Sequence, residues 1–409
     1  MSKFTTAIEA IKEEGLSGII RIFGEKIIDL STWRGFGNVR KKNDVRFLAK
    51  DVDIVECEWD TQPKVFSSPK KVGPYRFNWI ISPPAKGSGG HQNIFRFIRF
   101  LEQAGHSCRV YFYSAHHWIS LEQIEKNISS SYENIEAPIQ WLDGEMEEAD
   151  AIVATGWETA YPAYRSNLAA KRFYFVQDYE PLFYTMGSEY ALAENTYKFG
   201  FTGITAGHWL STKLHNDFGM RCGYYDFGVE HSLYKCENLN RRDKVFFYAR
   251  PVTSRRGFEL GLLALKKFYS MHPEIEIVMG GWDVDDIKID FPYKNYAIQD
   301  VKELPFIYNQ CAAALVLSFS NMSLLPLELL SCGTIPVMNK GLNNEMVAEN
   351  DFILYSEPSP GALAAALSTA VTREGQHEWA LKAAASVDSC SWSVSGDQFV
   401  SFIEREMRG

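Results

Sequence analysis

The chain has little of what would tie it to a secreted, membrane-embedded or nucleic-acid-binding life. Its seven cysteines (Cys57, Cys108, Cys222, Cys236, Cys311, Cys332 and Cys390) are scattered, with no Cys-x-x-Cys pair. A disulfide framework or zinc site is therefore not expected, and the thiols read as reduced residues of a cytosolic protein. No apolar run approaches the ~20 residues that span a bilayer, and charges interrupt the first thirty residues where a signal peptide would keep an apolar core. Excess positive charge is also missing: the formal net charge is -9 over 409 residues. Such a surface offers no field for gripping a polyanionic backbone, so nucleic acid is excluded as the expected partner. Length predicts two or three domains, not a single core.

What is present falls into segments. Residues 1–72 form an N-terminal extension in which Phe4, Ile8, Ile11, Leu16, Ile19, Ile20, Phe23, Ile27 and Ile28 recur at helical spacing. Lys12, Glu13, Glu14, Glu25 and Lys26 lie between them. Mixed charge on the polar face favours a helix pair packed on the main body over a basic membrane-surface helix. A βαβ unit follows: a strand over Phe77–Ile81, a glycine-rich turn from Ser82 to His91, a helix carrying Ile94, Phe95, Phe97, Ile98 and Leu101, then a strand at Arg109–Tyr113. Free N–H groups at Gly89 and Gly90 would receive phosphate or a sugar hydroxyl, although many such turns only reverse the chain. Further parallel strands are expected at Ala151–Ala154, Phe173–Val176, Gly203–Ala206 and Gly223–Phe227.

A second α/β region opens with a strand at Lys244–Ala249, then Arg250-Pro251-Val252-Thr253-Ser254-Arg255-Arg256-Gly257 and a helix from Phe258. Arginines at a strand-to-helix turn place permanent cations beside a positive helix end, which suits a diphosphate. From Leu304 to Met338 the pattern reads helix, buried strand (Ala312–Leu317), polar loop (Ser318–Ser323), helix (Leu325–Leu330) and strand. Pro326 suits the first helical turn and Gly333 the stop. Glu328 thus falls near a helix start at the carboxyl end of a parallel strand, where open α/β sheets hold their ligands. Asp283 and Asp285 have the Asp-x-Asp spacing of metal-held diphosphate sites, a pattern that also arises by chance in acidic loops.

The run Leu327-Glu328-Leu329-Leu330-Ser331-Cys332-Gly333-Thr334-Ile335-Pro336-Val337 resembles the nucleotide-sugar signature of retaining GT-B glycosyltransferases of the group 1 type. That family pairs two glutamates with seven residues between them, and the second binds the donor ribose. Glu328 matches the second, whereas Ser320 stands at the first, with Asn321 and Ser323 where glycines are usual. The resemblance implies that Arg250 and Arg256 hold the donor diphosphate and that the loop at Tyr296 to Ile298 stacks on the base. It also implies that Ser320, Asn321, Met322, Ser323 and Leu324 line the sugar site. Phe227-Gly228-Val229-Glu230 is similar to the end of the family's first domain, and Trp392 to Met407 to its final crossing helix. The version Gln177-Asp178-Tyr179-Glu180-Pro181 resembles rhamnosyltransferases of bacterial surface glycans, including an S-layer glycan enzyme that uses dTDP-L-rhamnose.

The expected fold class is therefore α/β with GT-B architecture: two Rossmann-like domains facing across a cleft, with a helical N-terminal extension. Expected boundaries are 1–72, an acceptor-side domain at 73–232, a donor domain at 233–390 and a crossing helix at 391–409. Asp178, Glu180 and Arg250 are the candidate catalytic residues. Gly89, Gly90, Arg250, Arg256, Tyr296, Ile298, Ser320, Asn321, Met322, Ser323, Leu324 and Glu328 are candidates for donor binding, and Gln177 and Tyr179 for the acceptor. The implied donor is dTDP-L-rhamnose with no metal or other cofactor, and the implied partner a lipid-linked glycan at the cytoplasmic face of the membrane, with peripheral membrane contact left open. A UDP- or GDP-sugar donor, a nucleotide-sugar epimerase and a non-catalytic glycan-binding protein remain as alternatives.

Overall fold

The computed structural model describes residues 48–409 except 61–65, 67–71, 85, 86, 118 and 239. The predicted helices of the N-terminal extension lie outside the described residues. From Arg76 onward the chain builds two parallel sheets, as expected of runs that are apolar on both faces. The first holds β1 (Arg76–Ile81), β2 (Ser107–Phe112), β3 (Ile139–Trp141), β4 (Ala151–Ala154), β5 (Lys171–Val176), β6 (Thr202–Ala206) and β7 (Cys222–Tyr225). Their order is β3-β2-β1-β4-β5-β6-β7. The second sheet runs β10-β9-β8-β11-β12-β13. Its strands are β8 (Lys244–Tyr248), β9 (Glu276–Gly280), β10 (Lys294–Asn295), β11 (Cys311–Val316), β12 (Ile335–Asn339) and β13 (Leu354–Ser356). In each sheet the order reverses beside the first strand, at β1/β4 and at β8/β11, which opens a crevice at the carboxyl ends.

Five helices carry the argument: α1 (Gly89–Gln103), α2 (Trp157–Arg165), α3 (Phe258–Met271), α4 (Leu325–Ser331) and α5 (Trp392–Arg408). The core of the first half is aromatic. Phe97 of α1 lies with its ring centroid 4.3 Å from Tyr225 and 4.8 Å from Phe399 of α5, and Phe175 stacks on Tyr225 at 5.4 Å. Trp79 closes the cluster against Phe175 and Phe399. The last helix of the chain thus packs on the first sheet. Its buried Glu406 pairs with Arg221 at 2.8 Å and Lys171 at 3.5 Å.

Two differences from the sequence reading have clear causes. The edge strand β3 is short and half-exposed, without the apolar run that marks a central strand. Helix α2 keeps Pro162 in its interior, which hides it from a search for uninterrupted helical pattern.

The second half is drawn in tightly at Gly261, where an added Cβ would lie 2.2 Å from Cζ of the buried Phe247 ring. At an exposed helical site Gly→Ala gains about 0.5–1 kcal/mol. Here overpacking should reverse the sign, and Gly261→Ala is expected to lose about 1–3 kcal/mol in equilibrium denaturation. An unchanged or higher midpoint would show that Phe247 gives way freely.

Candidate functional site

Between the carboxyl ends of the two sheets lies a cleft of about 970 Å³. The first sheet contributes the turn after β1 with Ser82 and the start of α1, the start of α2, and the loop after β5. The second contributes Tyr248, Arg255, Arg256, the segment Met322–Leu325 and Glu328. All of these positions follow strand ends, where backbone N–H groups and helix starts face outward.

The two walls are joined at one carboxylate. Asp178 Oδ1 accepts the N–H groups of Tyr179 and Asn321, each at 2.8 Å, and Oδ2 accepts the Ser320 hydroxyl at 2.9 Å. Arg255 Nε stands 3.5 Å from Oδ2 as an ion pair, and its guanidinium lies 3.9 Å over the Phe183 ring. The Asn321 amide donates to the Gln177 and Ala206 carbonyls at 3.0 and 2.8 Å. Ser320 and Asn321 are almost fully buried, 0% and 1% exposed. The position where the family resemblance expects a sugar-binding glutamate is thus a clamp between the two halves.

Glu133, Glu158, Glu180, Glu230 and Glu328 also line the cleft. Glu328, on the first turn of α4, is pushed up to about 7 by burial, opposed by a hydrogen bond from the Tyr234 hydroxyl and by the charge of Arg96. Glu180 Oε2 accepts the Trp157 N–H at 2.6 Å and the Tyr174 hydroxyl at 3.3 Å. Burial, and next the charge of Glu158, hold Glu180 well above the usual carboxylate range. Glu158 is raised too, again mainly by burial, while its own N–H and the Ser82 side chain oppose the shift. His91 places Nε2 2.9 Å from the Ser82 carbonyl and Nδ1 2.9 Å from the Ser88 hydroxyl. Burial lowers its pKa, so the neutral ring donates through Nε2 and accepts at Nδ1.

Cations come from both walls. Arg256 donates to the Ser318 hydroxyl at 2.8 Å, and the turn that carries Arg255 and Arg256 is closed by Gly257 in the left-handed region, φ 57°. From α1, Arg96 stacks 4.0 Å over Trp392 and donates to Asn93 Oδ1 at 3.0 Å. Glu133, Glu230 and Glu328 surround it.

The structure brings together most, but not all, of the residues proposed from sequence. Gly89, Gly90, Gln177, Asp178, Glu180, Arg256, Met322, Ser323, Leu324 and Glu328 line the cleft. Gln177 donates to the Gly90 carbonyl at 3.0 Å and accepts from Asn93 at 3.3 Å, which ties the glycine turn to the loop after β5. Tyr179 does not line the cleft: its ring is buried against Tyr197, and its hydroxyl donates to Glu194 at 3.0 Å. Side-chain alternation after β5 turns it to the opposite side from Asp178. Arg250 also stands back from the cleft, donating to the Gly281 carbonyl at 3.1 Å with its guanidinium over Trp282. Its place beside Arg256 is taken by Arg255. Tyr296 and the exposed Ile298 lie outside the lining, where Tyr248, Val301, Leu304 and Tyr308 stand instead. Asp283 and Asp285 both accept from the Asn295 amide, at 2.7 and 2.9 Å. Among the described residues no group of three or more His, Cys, Asp and Glu is placed to hold a metal ion.

Arg96, Glu158 and Tyr234 were not singled out as site residues from sequence. Arg96 and Glu158 follow glycines at helix starts after β1 and β4, a signal the glycine turns already carried. Tyr234 has no such mark.

Comparison with known proteins accords with this architecture. The WsaF N-terminal domain matches residues 122–206 and the WsaF C-terminal domain residues 243–368, together just over half of the chain. The chain carries both WsaF domains on a GT-B fold. It is 33% identical over 257 residues to the O-antigen biosynthesis protein RfbC of Myxococcus xanthus, a match that covers 61% of this chain and 20% of that protein. The chain thus spans about a fifth of that relative's length. Among solved structures, Anabaena HepE in complex with UDP and glucose superposes with a TM-score of 0.62 at 13% identity, covering 82% of this chain and 99% of HepE. A TarM variant of S. aureus, in complex with fondaparinux, alpha-GlcNAc-glycerol and UDP, reaches 0.64 at 7% identity over 82% of this chain and all of that one. Among the described residues no helix is long and apolar enough to cross a membrane.

Within the WsaF C-terminal domain, Glu328 gives a measurable signature. Its native carboxyl keeps the proton up to about pH 7, whereas an ordinary one releases it near 4.5. Between those values the native state binds more protons, so this group's contribution to stability is lost as pH rises through the window and levels off above it. Relative to Glu328→Gln, the wild type is therefore expected to lose up to about 1.4 kcal/mol per pH unit from 4.5 to 7 in denaturant titrations. A pH-independent difference between the two proteins would show that Glu328 ionises normally.

Proposed function

We propose that the chain transfers L-rhamnose from dTDP-L-rhamnose, with retention, to a growing lipid-linked surface glycan at the inner face of the cell membrane. The observation that carries the donor side is the facing pair of helix starts. Glu328 on the first turn of α4 looks into the same cleft as Arg255 and Arg256 before α3. In this reading Glu328 takes the ribose hydroxyls of the nucleotide, and the two arginines hold the diphosphate bidentately. Charge that develops on the leaving diphosphate is met by those guanidinium groups, so charge neutralisation needs no metal. The acceptor oxygen bonds to the anomeric carbon as the bond from that carbon to the phosphate oxygen breaks. The acceptor proton passes to the leaving phosphate on the same face.

The clamp at Ser320 agrees with a 6-deoxy sugar. A glutamate at that position would need a partner hydroxyl, and an unpartnered buried carboxylate is costly. Serine instead donates to Asp178. The WsaF domains and the RfbC relative support a surface-glycan product. A UDP-sugar donor is the second reading, favoured by the UDP in the HepE and TarM complexes.

Thermal stabilisation by dTDP, UDP, GDP and NAD at equal concentration tests the donor. A ligand that binds only the native state raises stability with the logarithm of its concentration over Kd. The expected result is a shift with dTDP that Arg256→Ala and Glu328→Ala each weaken about tenfold in Kd, equivalent to ~1.4 kcal/mol. Arg250→Ala, whose guanidinium faces Gly281, should change it less. No shift with any nucleoside diphosphate would overturn the transferase reading, and a shift confined to UDP would move the donor to a UDP-sugar.

A further inference from the structure

Three of the carboxyl groups that line the first-sheet side of the cleft are in three different conditions. Asp178 is consumed by its clamp, with three hydrogen bonds and an ion pair on two oxygens. Glu180 is 7% exposed, and its Oε2 already holds two donors, the Trp157 N–H and the Tyr174 hydroxyl. Glu158 differs from both. It stands one residue after Trp157 on the first turn of α2, lines the cleft, and folds its carboxyl back over Gly156, where an added Cβ would lie 2.8 Å from Oε2. Its own N–H and the Ser82 side chain hold it there.

Glu158 and Glu180 converge on one helix start, and burial opposes two charges in that place. The groups that face the pair are Asp178, Tyr113, Tyr174, Tyr184 and Tyr197, which bring hydroxyls and a further negative charge. One proton shared by the pair resolves the repulsion. Burial raises Glu180 the further of the two, and Glu158 is the one that lies over Gly156 at the cavity edge. A carboxyl held by the Ser82 side chain at the edge of the cleft offers acceptor oxygens beside a hydroxyl, which matches the two-way hydrogen bonding of sugar hydroxyls.

We propose that Glu158, backed by Glu180, is the acceptor-sugar site of this wall, its carboxylate accepting hydrogen bonds from ring hydroxyls of the glycan's terminal sugar. The inference rests on the transferase reading, with the first half as the acceptor side. It gives that half a recognition residue in place of Tyr179, whose ring lies in the core.

The test uses the full chain saturated with dTDP and a panel of octyl glycosides of rhamnose, glucose, galactose and N-acetylglucosamine, with affinity read by ligand-observed NMR. At least one glycoside is expected to bind, and Glu158→Gln to weaken it about tenfold. Gly156→Ala keeps the charge but displaces the carboxylate and should weaken binding severalfold. Wild-type affinity should fall as the pair takes up its second proton on acidification, and the Glu158→Gln affinity should not. Thermal stabilisation by dTDP serves as the folding control and should be the same in all variants. Equal glycoside affinity in Glu158→Gln, or a wild type that binds dTDP but no glycoside, would overturn the acceptor site alone. Failure to bind any nucleoside diphosphate would bring down the transferase reading with it.

Discussion

Asp178 reaches from the end of β5 into the turn after β11, and the Ser320 hydroxyl and Asn321 N–H of the second sheet close on its carboxylate. Hydrogen bonds to a charged acceptor contribute about 1.5–3 kcal/mol each, and one left unmade at a buried charge costs at least as much. The clamp is therefore strong only when complete, and completing it fixes the separation of the two sheets. Everything else in the cleft is placed by that separation. Arg255 lies over Phe183 and beside Asp178 because the turn before α3 is held against the loop after β5. Glu328 faces Arg96 of the opposite wall for the same reason.

The charges of the cleft divide between its walls. On the second side Arg250, Arg255 and Arg256 come from one turn, and burial, with the repulsion of its two neighbours after it, lowers the pKa of Arg255. Such a cluster is costly alone and is relieved by an anion arriving between the guanidinium groups. The first wall carries Arg96 together with the carboxyl groups of Glu133, Glu158 and Glu180. A net charge of -9 over the whole chain hides this local polarity.

Much of the fold was legible in sequence because parallel strands buried on both faces leave unbroken apolar runs. Phe173–Val176 and Ala312–Leu317 show this most clearly, and both are central strands. Edge strand β3 and the proline-bearing α2 lack that signature. The site was legible as positions after strand ends, and Glu328, Arg256 and Gln177 follow from it. Which arginine of Arg250, Arg255 and Arg256 faces the ligand was not, because the choice depends on the left-handed Gly257 and on an ion pair with a residue 77 positions earlier, Asp178. Glu158 escaped for a related reason. Its meaning comes from Glu180, which is brought beside it only when β4 and β5 pair in the sheet.

The replacement of a family glutamate by Ser320 changes how the two halves depend on one another. A glutamate there would lack the hydroxyl that Ser320 donates to Asp178. Ser320 and Asn321 spend the same turn on Asp178, Gln177 and Ala206 of the opposite half. Opening the cleft then exposes a carboxylate that has lost two donors and an amide that has lost two carbonyls, and water must replace all four. Closure is thereby built into the fold, with Arg255 and Arg256 held in the same cleft as Glu158 and Glu180. Preorganisation of this kind spares a ligand's binding energy from assembling the site.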